Sequence, residues 1–123
     1  MKGEILLMML FLHIVDDFHL QGILANLKQK AWWEKNAPGD MYKGDYAIAM
    51  LAHGFSWACM VMAPLWYFGL VTGRSLAISV MVLGWSHCEI DDAKCNRLKI
   101  SLCTDQLLHV LQIVLAWAIF VLA

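Results

Sequence analysis

Charged residues are scarce in this chain. Only 15% of its 123 residues are Asp, Glu, Lys or Arg, and the net charge is -1. The few basic residues lie between apolar runs and form no continuous stripe, which argues against the electrostatic footprint of a nucleic-acid-binding protein. We therefore expect no nucleic-acid partner.

Closely paired cysteines are also missing. Cys59, Cys88, Cys95 and Cys103 form no C-x-x-C motif, which excludes a thioredoxin-like site and a standard zinc knuckle. Cys59 lies in an apolar run and should pack as a small hydrophobic residue. The other three fall on the side predicted below to be cytoplasmic, where thiols stay reduced.

Apolar residues dominate what is present: they make up 61% of the chain, and its mean hydropathy is +0.62. They gather in four stretches, at about 4–24, 46–71, 75–92 and 101–123, each near the length that spans a bilayer. The third reaches that length only if the polar segment 87–92 continues the same helix. The pattern predicts a single all-α domain over 1–123, an integral membrane bundle of about four transmembrane helices.

The basic residues predict an orientation for this bundle. The connection 25–45 carries Lys28, Lys30, Lys35 and Lys43, and the connection 93–100 carries Lys94, Arg97 and Lys99, whereas the N-terminus and the turn at 72–74 carry only Lys2 and Arg74. By the positive-inside rule, loops 25–45 and 93–100 are cytoplasmic and both termini lie outside. Trp32 and Trp33, which lie among the lysines of the first loop, are typical of an interfacial segment. The N-terminal run is read as a retained helix, because Asp16 and Asp17 stand where a signal peptide would have a small-residue cleavage site.

Within the apolar stretches lie histidines and aspartates, which are expensive to place in a membrane. Three pairs are spaced i, i+4, which puts both side chains on one helical face. The pairs are His13 with Asp17, His87 with Asp91 and Asp105 with His109, and His53 stands alone in the second stretch. Counting about 1.5 Å per residue from the helix ends places all four groups in the cytoplasmic half of the bundle.

Four imidazoles and three carboxylates at one depth suit a divalent metal, with zinc the leading choice and manganese or iron still open. The predicted ligands are His13, Asp17, His53, His87, Asp91, Asp105 and His109, with Asp17, Asp91 and Asp105 also candidate catalytic carboxylates. Gln21 and Gln106 are candidates to donate hydrogen bonds to the site. Asp16 and Asp17 point about 100° apart on a helix, so which of them is functional stays open. The alternative is that the same groups form structural His–Asp hydrogen bonds between helices.

These residues also form recognisable motifs. H-x-x-x-D-F-x-x-Q begins at His13, H-x-x-x-D-x-x-K at His87 and D-Q-x-x-H at Asp105. Together with His53 they resemble a family of small integral membrane proteins of bacteria and their phages whose function is unknown. The resemblance covers nearly the whole chain and implies a multi-pass protein of the bacterial inner membrane, without implying an activity.

Two functions are therefore predicted. The first is a membrane-embedded metal-binding protein whose candidate activity is metal-dependent hydrolysis of a lipid or lipid-linked substrate reached from the cytoplasmic leaflet. The second is a non-enzymatic membrane module, such as a phage-encoded interaction or exclusion protein or a small ion or proton carrier. The pattern does not distinguish a site within one chain from a site shared across a dimer.

Overall fold

The computed structural model describes residues 1–123 and contains helices and no strands, which confirms the predicted all-α class. α1 spans Lys2–Ile14 and continues as a π-helical segment over Val15–Leu20. Two short helices follow, α2 at Leu24–Leu27 and α3 at Lys30–Asn36. The long helices α4 and α5 span Asp45–Tyr67 and Gly73–Cys95. α6 spans Leu102–Trp117 and ends in a second π-helical segment, Ala118–Leu122.

The four long helices form an antiparallel bundle. α4 packs against α1 on one side and α5 on the other, and α6 closes the ring against α5 and α1. Ser101 caps the start of α6, because its hydroxyl accepts a hydrogen bond from the Thr104 amide at 3.2 Å. Pro64 lies in the last turn of α4, which ends three residues later at Tyr67. The predicted helix order is thus present, with short connections from α4 to α5 and from α5 to α6 and a longer one, which contains α2 and α3, before α4.

The element boundaries differ from the sequence prediction in several places. α4 ends at Tyr67 instead of residue 71, and α5 extends beyond residues 75–92 at both ends. The connection 25–45 is partly helical, since it holds most of α2 and all of α3, and α2 packs against α4. The first long helix ends at Leu20 instead of residue 24, because Gly22 follows with a φ of +50°, a left-handed conformation that interrupts a helix. The polar segment 87–92 does continue α5, which reaches 23 residues.

Two glycines bring α4 and α5 close together beside the predicted site. A Cβ atom on Gly54 would overlap the Cys88 sulfur and lie 2.9 Å from the Gly84 carbonyl oxygen. A Cβ atom on Gly84 would lie 2.8 Å from the Phe55 ring. Small residues at a helix crossing let the backbones approach closely, as is common in membrane bundles. This approach places His53, the residue before Gly54, next to α5.

The two ends of the bundle have different interiors. At the end that holds both chain termini, the core is apolar. It consists of Ile5, Met9, Trp57, Ala58, Val61, Met62, Leu65, Val71, Ile113 and Ala116. Two helical segments, Asp40–Tyr67 and Leu102–Leu122, are long and apolar enough to cross a membrane.

Candidate metal centre

All seven predicted ligands are buried at the other end of the bundle, within one chain. None of these residues has more than 3% of its surface exposed. Six of them form two groups that share Asp17, and within each group the ligand atoms lie within 4.8 Å of one another. We call these six the His–Asp cluster: Asp17, His53, His87, Asp91, Asp105 and His109. The shared depth inferred from helix positions therefore corresponds to direct proximity.

Four residues of the cluster form a compact first ligand group: Asp17, His53, His87 and Asp91. The two histidine Nε2 atoms lie 3.1 Å apart, and His53 Nε2 lies 3.2 Å from Asp17 Oδ1 and 3.3 Å from Asp91 Oδ2. His87 Nε2 lies 3.9 and 3.8 Å from the same two oxygens. A tetrahedral zinc ion with bonds of about 2.0–2.1 Å separates its ligand atoms by about 3.3–3.4 Å. The four atoms thus have nearly the spacing of a tetrahedral zinc shell.

The first ligand group has fewer protons than acceptors. Two carboxylate oxygens and two imidazole nitrogens converge on one point, and only the nitrogens can carry hydrogen. If His53 Nε2 carries the proton, it faces three acceptors at once, and His87 then carries its own proton on Nδ1. That buried Nδ1 atom has no hydrogen-bond partner. Asp91 Oδ2 already accepts a hydrogen bond from Lys28, and one cation at the centre would satisfy the other three converging atoms as well.

A second ligand group, Asp17, Asp105 and His109, adjoins the first. A chain of hydrogen bonds fixes the His109 ring: Ser86 Oγ donates to the Val82 carbonyl, Gln112 Nε2 donates to Ser86 Oγ, and Gln112 Oε1 is left to accept from His109 Nδ1. His109 Nε2 faces Asp91 Oδ1 at 3.3 Å and Asp105 Oδ1 at 3.5 Å. Because carboxylates only accept hydrogen bonds, this Nε2 atom must carry a proton or share a cation with them.

Two lysines enter the cluster. Lys28, from the first connection, is only 4% exposed and donates a hydrogen bond to Asp91 Oδ2. Lys94 lies on α5, and its Nζ atom is 2.9 Å from Asp105 Oδ2 and 3.8 Å from Asp91 Oδ1. Burial would lower the pKa of Lys94, but the carboxylates of Asp91 and Asp105 outweigh burial and raise that pKa. Both lysines are therefore ion-paired with the carboxylates.

The structure places His13 outside both ligand groups. Trp57 Nε1 donates to His13 Nδ1 at 2.8 Å, so the proton of the neutral ring is on Nε2 and faces Gln106 Oε1 at 3.1 Å. Gln106 Nε2 in turn donates to Asp17 Oδ2 at 2.8 Å and Asp105 Oδ2 at 3.0 Å. His13 thus orients Gln106, and Gln106 holds two of the cluster carboxylates as the sequence predicted for it.

Both aspartates of the first motif are buried, and they face different partners. Asp17 faces the cluster, whereas Asp16 Oδ1 accepts a hydrogen bond from Ser56 Oγ at 2.8 Å and none of the cluster histidines lies within 4 Å of it. The Gln21 side chain bonds to the backbone carbonyl of Asp17, and its own oxygen has no partner. Gln21 therefore does not reach the Asp17 carboxylate.

Sequence reasoning missed three residues at the site: Lys28, Trp57 and Gln112. Trp57 lies four positions after His53, and Gln112 lies three after His109, so helical spacing was an available signal for both. The Trp57 ring stacks on the His87 ring, with centroids 4.2 Å apart. Lys28 had no comparable signal, because it lies in a connection among several other lysines.

The cysteines do not contribute to the cluster. Burial raises the pKa of the Cys95 thiol to about 11, and its sulfur faces the Lys28 carbonyl at 3.8 Å and belongs to neither ligand group. Cys88 is buried and donates to the Met50 carbonyl, while Cys59 and Cys103 are exposed. All four are free thiols, as expected.

Comparison with known proteins identifies a family without identifying an activity. No curated protein matches the chain, and no solved structure matches it. A family model described as a protein of unknown function (DUF3307) matches residues 5–123. The match includes every residue of the His–Asp cluster, and the chain therefore belongs to this family of unknown function.

Proposed function

We propose that this chain is a multi-pass membrane protein that binds one divalent metal ion, zinc by preference, in the first ligand group. We propose further that the metal serves hydrolysis of a substrate that reaches the site from the cytoplasmic leaflet. The observation that carries the proposal is the near-tetrahedral spacing of four buried ligand atoms from three different helices.

The outer surface of the bundle supports insertion of all four long helices. On α1, α5 and α6, large apolar side chains are exposed at intervals of three or four residues, which aligns them on one outward face of each helix. On α4 they are exposed only near its two ends, but α4 belongs to one of the two segments that are apolar enough to cross a membrane. The exposed apolar side chains include Leu7, Phe11 and Phe18 of α1 and its extension, Ile48 and Trp66 of α4, Ile78, Met81, Val82 and Trp85 of α5, and Leu107, Leu111 and Leu115 of α6. A bundle surrounded by lipid is expected to expose apolar side chains and to bury its ionisable ones, and this chain has that distribution.

The count of basic residues favours the same orientation when Lys28 and Lys94, which pair with the cluster carboxylates, are left out of it. The remaining basic residues of the two cytoplasmic connections are Lys30, Lys35, Lys43, Arg97 and Lys99, against Lys2 and Arg74 on the other side. Five against two still favours loops 25–45 and 93–100 inside. The cluster then lies near the cytoplasmic leaflet.

With four protein ligands, water or substrate would have to occupy a fifth coordination position, an expansion that catalytic zinc sites can make. A metal with such a position would lower the pKa of bound water and so supply a nucleophile for hydrolysis at neutral pH. In this proposal Asp17, His53, His87 and Asp91 hold the ion. Asp105 is the candidate proton acceptor, because it adjoins the first ligand group without belonging to it and its buried Oδ1 atom has only the His109 ring nearby, at 3.5 Å. Gln106, held by His13, orients the carboxylates of Asp17 and Asp105.

A second candidate function is a non-enzymatic membrane module in which the cluster is structural or relays protons. The observation that favours it is the ion pairing within the cluster itself, where Lys28 and Lys94 already neutralise part of the carboxylate charge. This module would be stable without metal. It would hold no ion after purification in the presence of zinc.

Elemental analysis of detergent-purified protein separates the two. We expect about one zinc ion per chain in the wild type and loss of that ion in His53→Ala and His87→Ala, because each substitution removes a ligand. His19→Ala is the matched control, since the exposed His19 has only a backbone carbonyl as partner, at 3.5 Å. No bound metal in the wild type, or full metal content in a His53→Ala, His87→Ala double variant, would refute the metal site.

If zinc is bound, release of product from lipid-linked substrates tests the hydrolase itself. Asp105→Asn should keep the ion and lose turnover, since the amide cannot accept a proton. Equal turnover in Asp105→Asn and the wild type would exclude Asp105 as the base.

A further inference from the structure

The first connection encloses a cavity that is separate from the His–Asp cluster. It lies between α3, the residues 37–43 that follow it and the start of α4, and its volume is about 420 Å³. Asn96, at the end of α5, accepts a hydrogen bond from the Lys30 amide at 2.8 Å and donates one to the Lys28 carbonyl at 3.1 Å. The Trp33 indole donates to the Leu27 carbonyl at 2.7 Å. These bonds attach α3 to the bundle and hold the walls of the cavity in place.

Aromatic rings form much of the cavity wall. The Trp33 and Tyr42 rings are stacked, with centroids 6.1 Å apart and 18° between their planes. Lys30 Nζ lies 4.8 Å from the centre of the Tyr46 ring, a cation–π contact. Indole and phenol rings favour the headgroup layer of a membrane, because one part of the side chain is apolar and the other is polar. In the proposed orientation, the cavity therefore lies at the headgroup level of the cytoplasmic leaflet.

The cavity is lined by charges of both signs. Lys43 pairs with Asp40 at 2.7 Å, which leaves Lys30 and Glu34 as the charges that a ligand can use. These two residues are spaced i, i+4 on α3, so they share a helical face with roughly 5–6 Å between their Cβ atoms. Lys30 Nζ faces the Tyr46 ring instead of the Glu34 carboxylate. A ligand with a phosphate and an ammonium group joined by a short carbon bridge would complement both charges, whereas a purely anionic one would meet repulsion from Glu34.

An apolar groove between α4 and α5 adjoins this cavity, and Tyr46 lines both. The two acidic residues of the groove, Glu89 and Asp92, are paired with Arg97 at 3.2 and 2.9 Å. Leu51 lies five positions beyond Tyr46, which is roughly 7 Å further along α4. The groove has a volume of about 240 Å³, and its other apolar wall residues are Ala47, Met50 and Trp85. A polar cavity that leads into an apolar groove suits a ligand with a headgroup and a hydrocarbon chain.

We propose that the cavity binds the headgroup of a zwitterionic phospholipid, with its phosphate at Lys30 and its ammonium group at Glu34, while one acyl chain lies in the groove. The inference rests on the proposed membrane insertion and orientation, and it does not depend on a metal ion. A soluble phosphorylated amine has the same charges but no chain to fill the groove, which favours the lipid.

Calorimetric titration of the chain in maltoside detergent micelles with short-chain phosphatidylethanolamine tests the proposal. We expect about one lipid to bind per chain. Lys30→Gln and Glu34→Gln should each weaken binding about threefold to fivefold, the loss expected for one exposed ion pair. Phosphatidylglycerol, whose headgroup has a phosphate but no ammonium group, is the second probe. Lys30→Gln should weaken its binding, and Glu34→Gln should not.

Glycerophosphoethanolamine, which has the same headgroup without acyl chains, tests the groove. It should bind about tenfold or more weakly than the lipid, because it buries no hydrocarbon there. Affinity equal to that of phosphatidylethanolamine would overturn the assignment of a lipid and make the ligand a soluble phosphorylated amine.

Lys35→Gln is the matched control, because Lys35 is an exposed lysine of α3 that does not line the cavity. Zinc content should stay at the wild-type level in every variant. Equal binding of phosphatidylethanolamine by the wild type and a Lys30→Gln, Glu34→Gln double variant would overturn the site, as would tighter wild-type binding of phosphatidylglycerol. Either result would leave the metal site and the membrane insertion standing. Release of the chain from membranes by alkaline carbonate would instead refute the insertion, and the lipid site with it.

Discussion

The two ends of the bundle are built from the same four helices but have opposite interiors. Near the chain termini, Met9, Met62, Leu65 and Ile113 fill the space between helices with no exposed surface. At the other end, the same space holds the His–Asp cluster and two lysines. Apolar side chains in that space would stabilise the fold at least as well as the charged ones, because the attraction within a buried ion pair rarely exceeds the cost of removing both charges from water. The polar end is therefore where function is to be sought.

Trp57 marks the border between the two ends. Its ring belongs to the apolar core and also stacks on His87, and its indole N–H donates to His13. One side chain thus closes the cluster from the apolar side and fixes the proton position of a histidine. The two ends differ in chemistry but share the Trp57 side chain. Substitutions at each end can test whether the stability of the apolar core and metal binding by the cluster are independent.

The largest effect is expected for Asp91→Asn at the polar end. Asp91 contacts His53, His109, Lys28 and Lys94, so its neutral amide would leave several cations without their partner. We expect a loss of about 3–5 kcal/mol in the free energy of unfolding and loss of bound zinc. Unfolding followed by circular dichroism in detergent, with zinc measured on the folded fraction, checks both.

Asp40→Asn is the control for charge alone, because Asp40 is exposed and pairs only with Lys43 in the first connection. It should leave unfolding and zinc content unchanged. An Asp91→Asn variant as stable as the wild type would contradict the idea that the cluster is a set of mutually dependent charges.

At the apolar end, Leu65→Ala should separate stability from metal binding. Leu65 is fully buried in the apolar core, and truncation of such a side chain costs about 2–5 kcal/mol through lost contacts and the cavity left behind. Zinc content should stay at the wild-type level below the unfolding temperature. Loss of zinc from folded Leu65→Ala protein would show that the two ends are not independent.

Gly54→Ala tests the helix crossing that brings His53 to His87. The added methyl group would overlap Cys88 and push α4 away from α5, at a cost of about 1–3 kcal/mol in stability. Because His53 and His87 lie on the two separated helices, we also expect weaker zinc binding in a competition titration with a chelator. Gly3→Ala is the control, since nothing lies within 4 Å of the added atom there. Unchanged zinc affinity in Gly54→Ala would mean that the site tolerates a wider crossing.

Much of this arrangement could be predicted from helical spacing. The i, i+4 pairs and their distances from the helix ends placed Asp17, His53, His87 and His109 at one depth, and the structure brings these four residues together. Spacing could not reveal which ring nitrogen of His13 is already occupied, because that depends on Trp57 from another helix. His13 is therefore the least suited of the seven to bind metal, because Trp57 and Gln106 occupy its two ring nitrogens.

The first connection was harder to predict than the bundle. Trp, Lys, Gly and Pro are mixed there, and apolar residues do not recur every three or four positions, so the sequence does not predict α2 and α3. The sequence likewise does not distinguish Lys28 from the other lysines of this connection, whereas the structure buries it against Asp91. Contacts made by a connection depend on how it folds back over the bundle, and local sequence carries little information about that.

The smallest effect is expected at the cysteines, which tests whether the polar end binds metal through nitrogen and oxygen alone. The high pKa of Cys95, about 11, leaves roughly one thiol in ten thousand ionised at pH 7, so maleimide should modify the exposed Cys103 and spare Cys95 in folded protein. Peptide mass spectrometry identifies the modified residues, and denatured protein, in which all four cysteines react, provides the control. Removal of zinc should leave the pattern unchanged, because no thiol is a ligand. Rapid modification of Cys95 that zinc suppresses would instead make this thiol part of the centre and move the centre toward the end of α5.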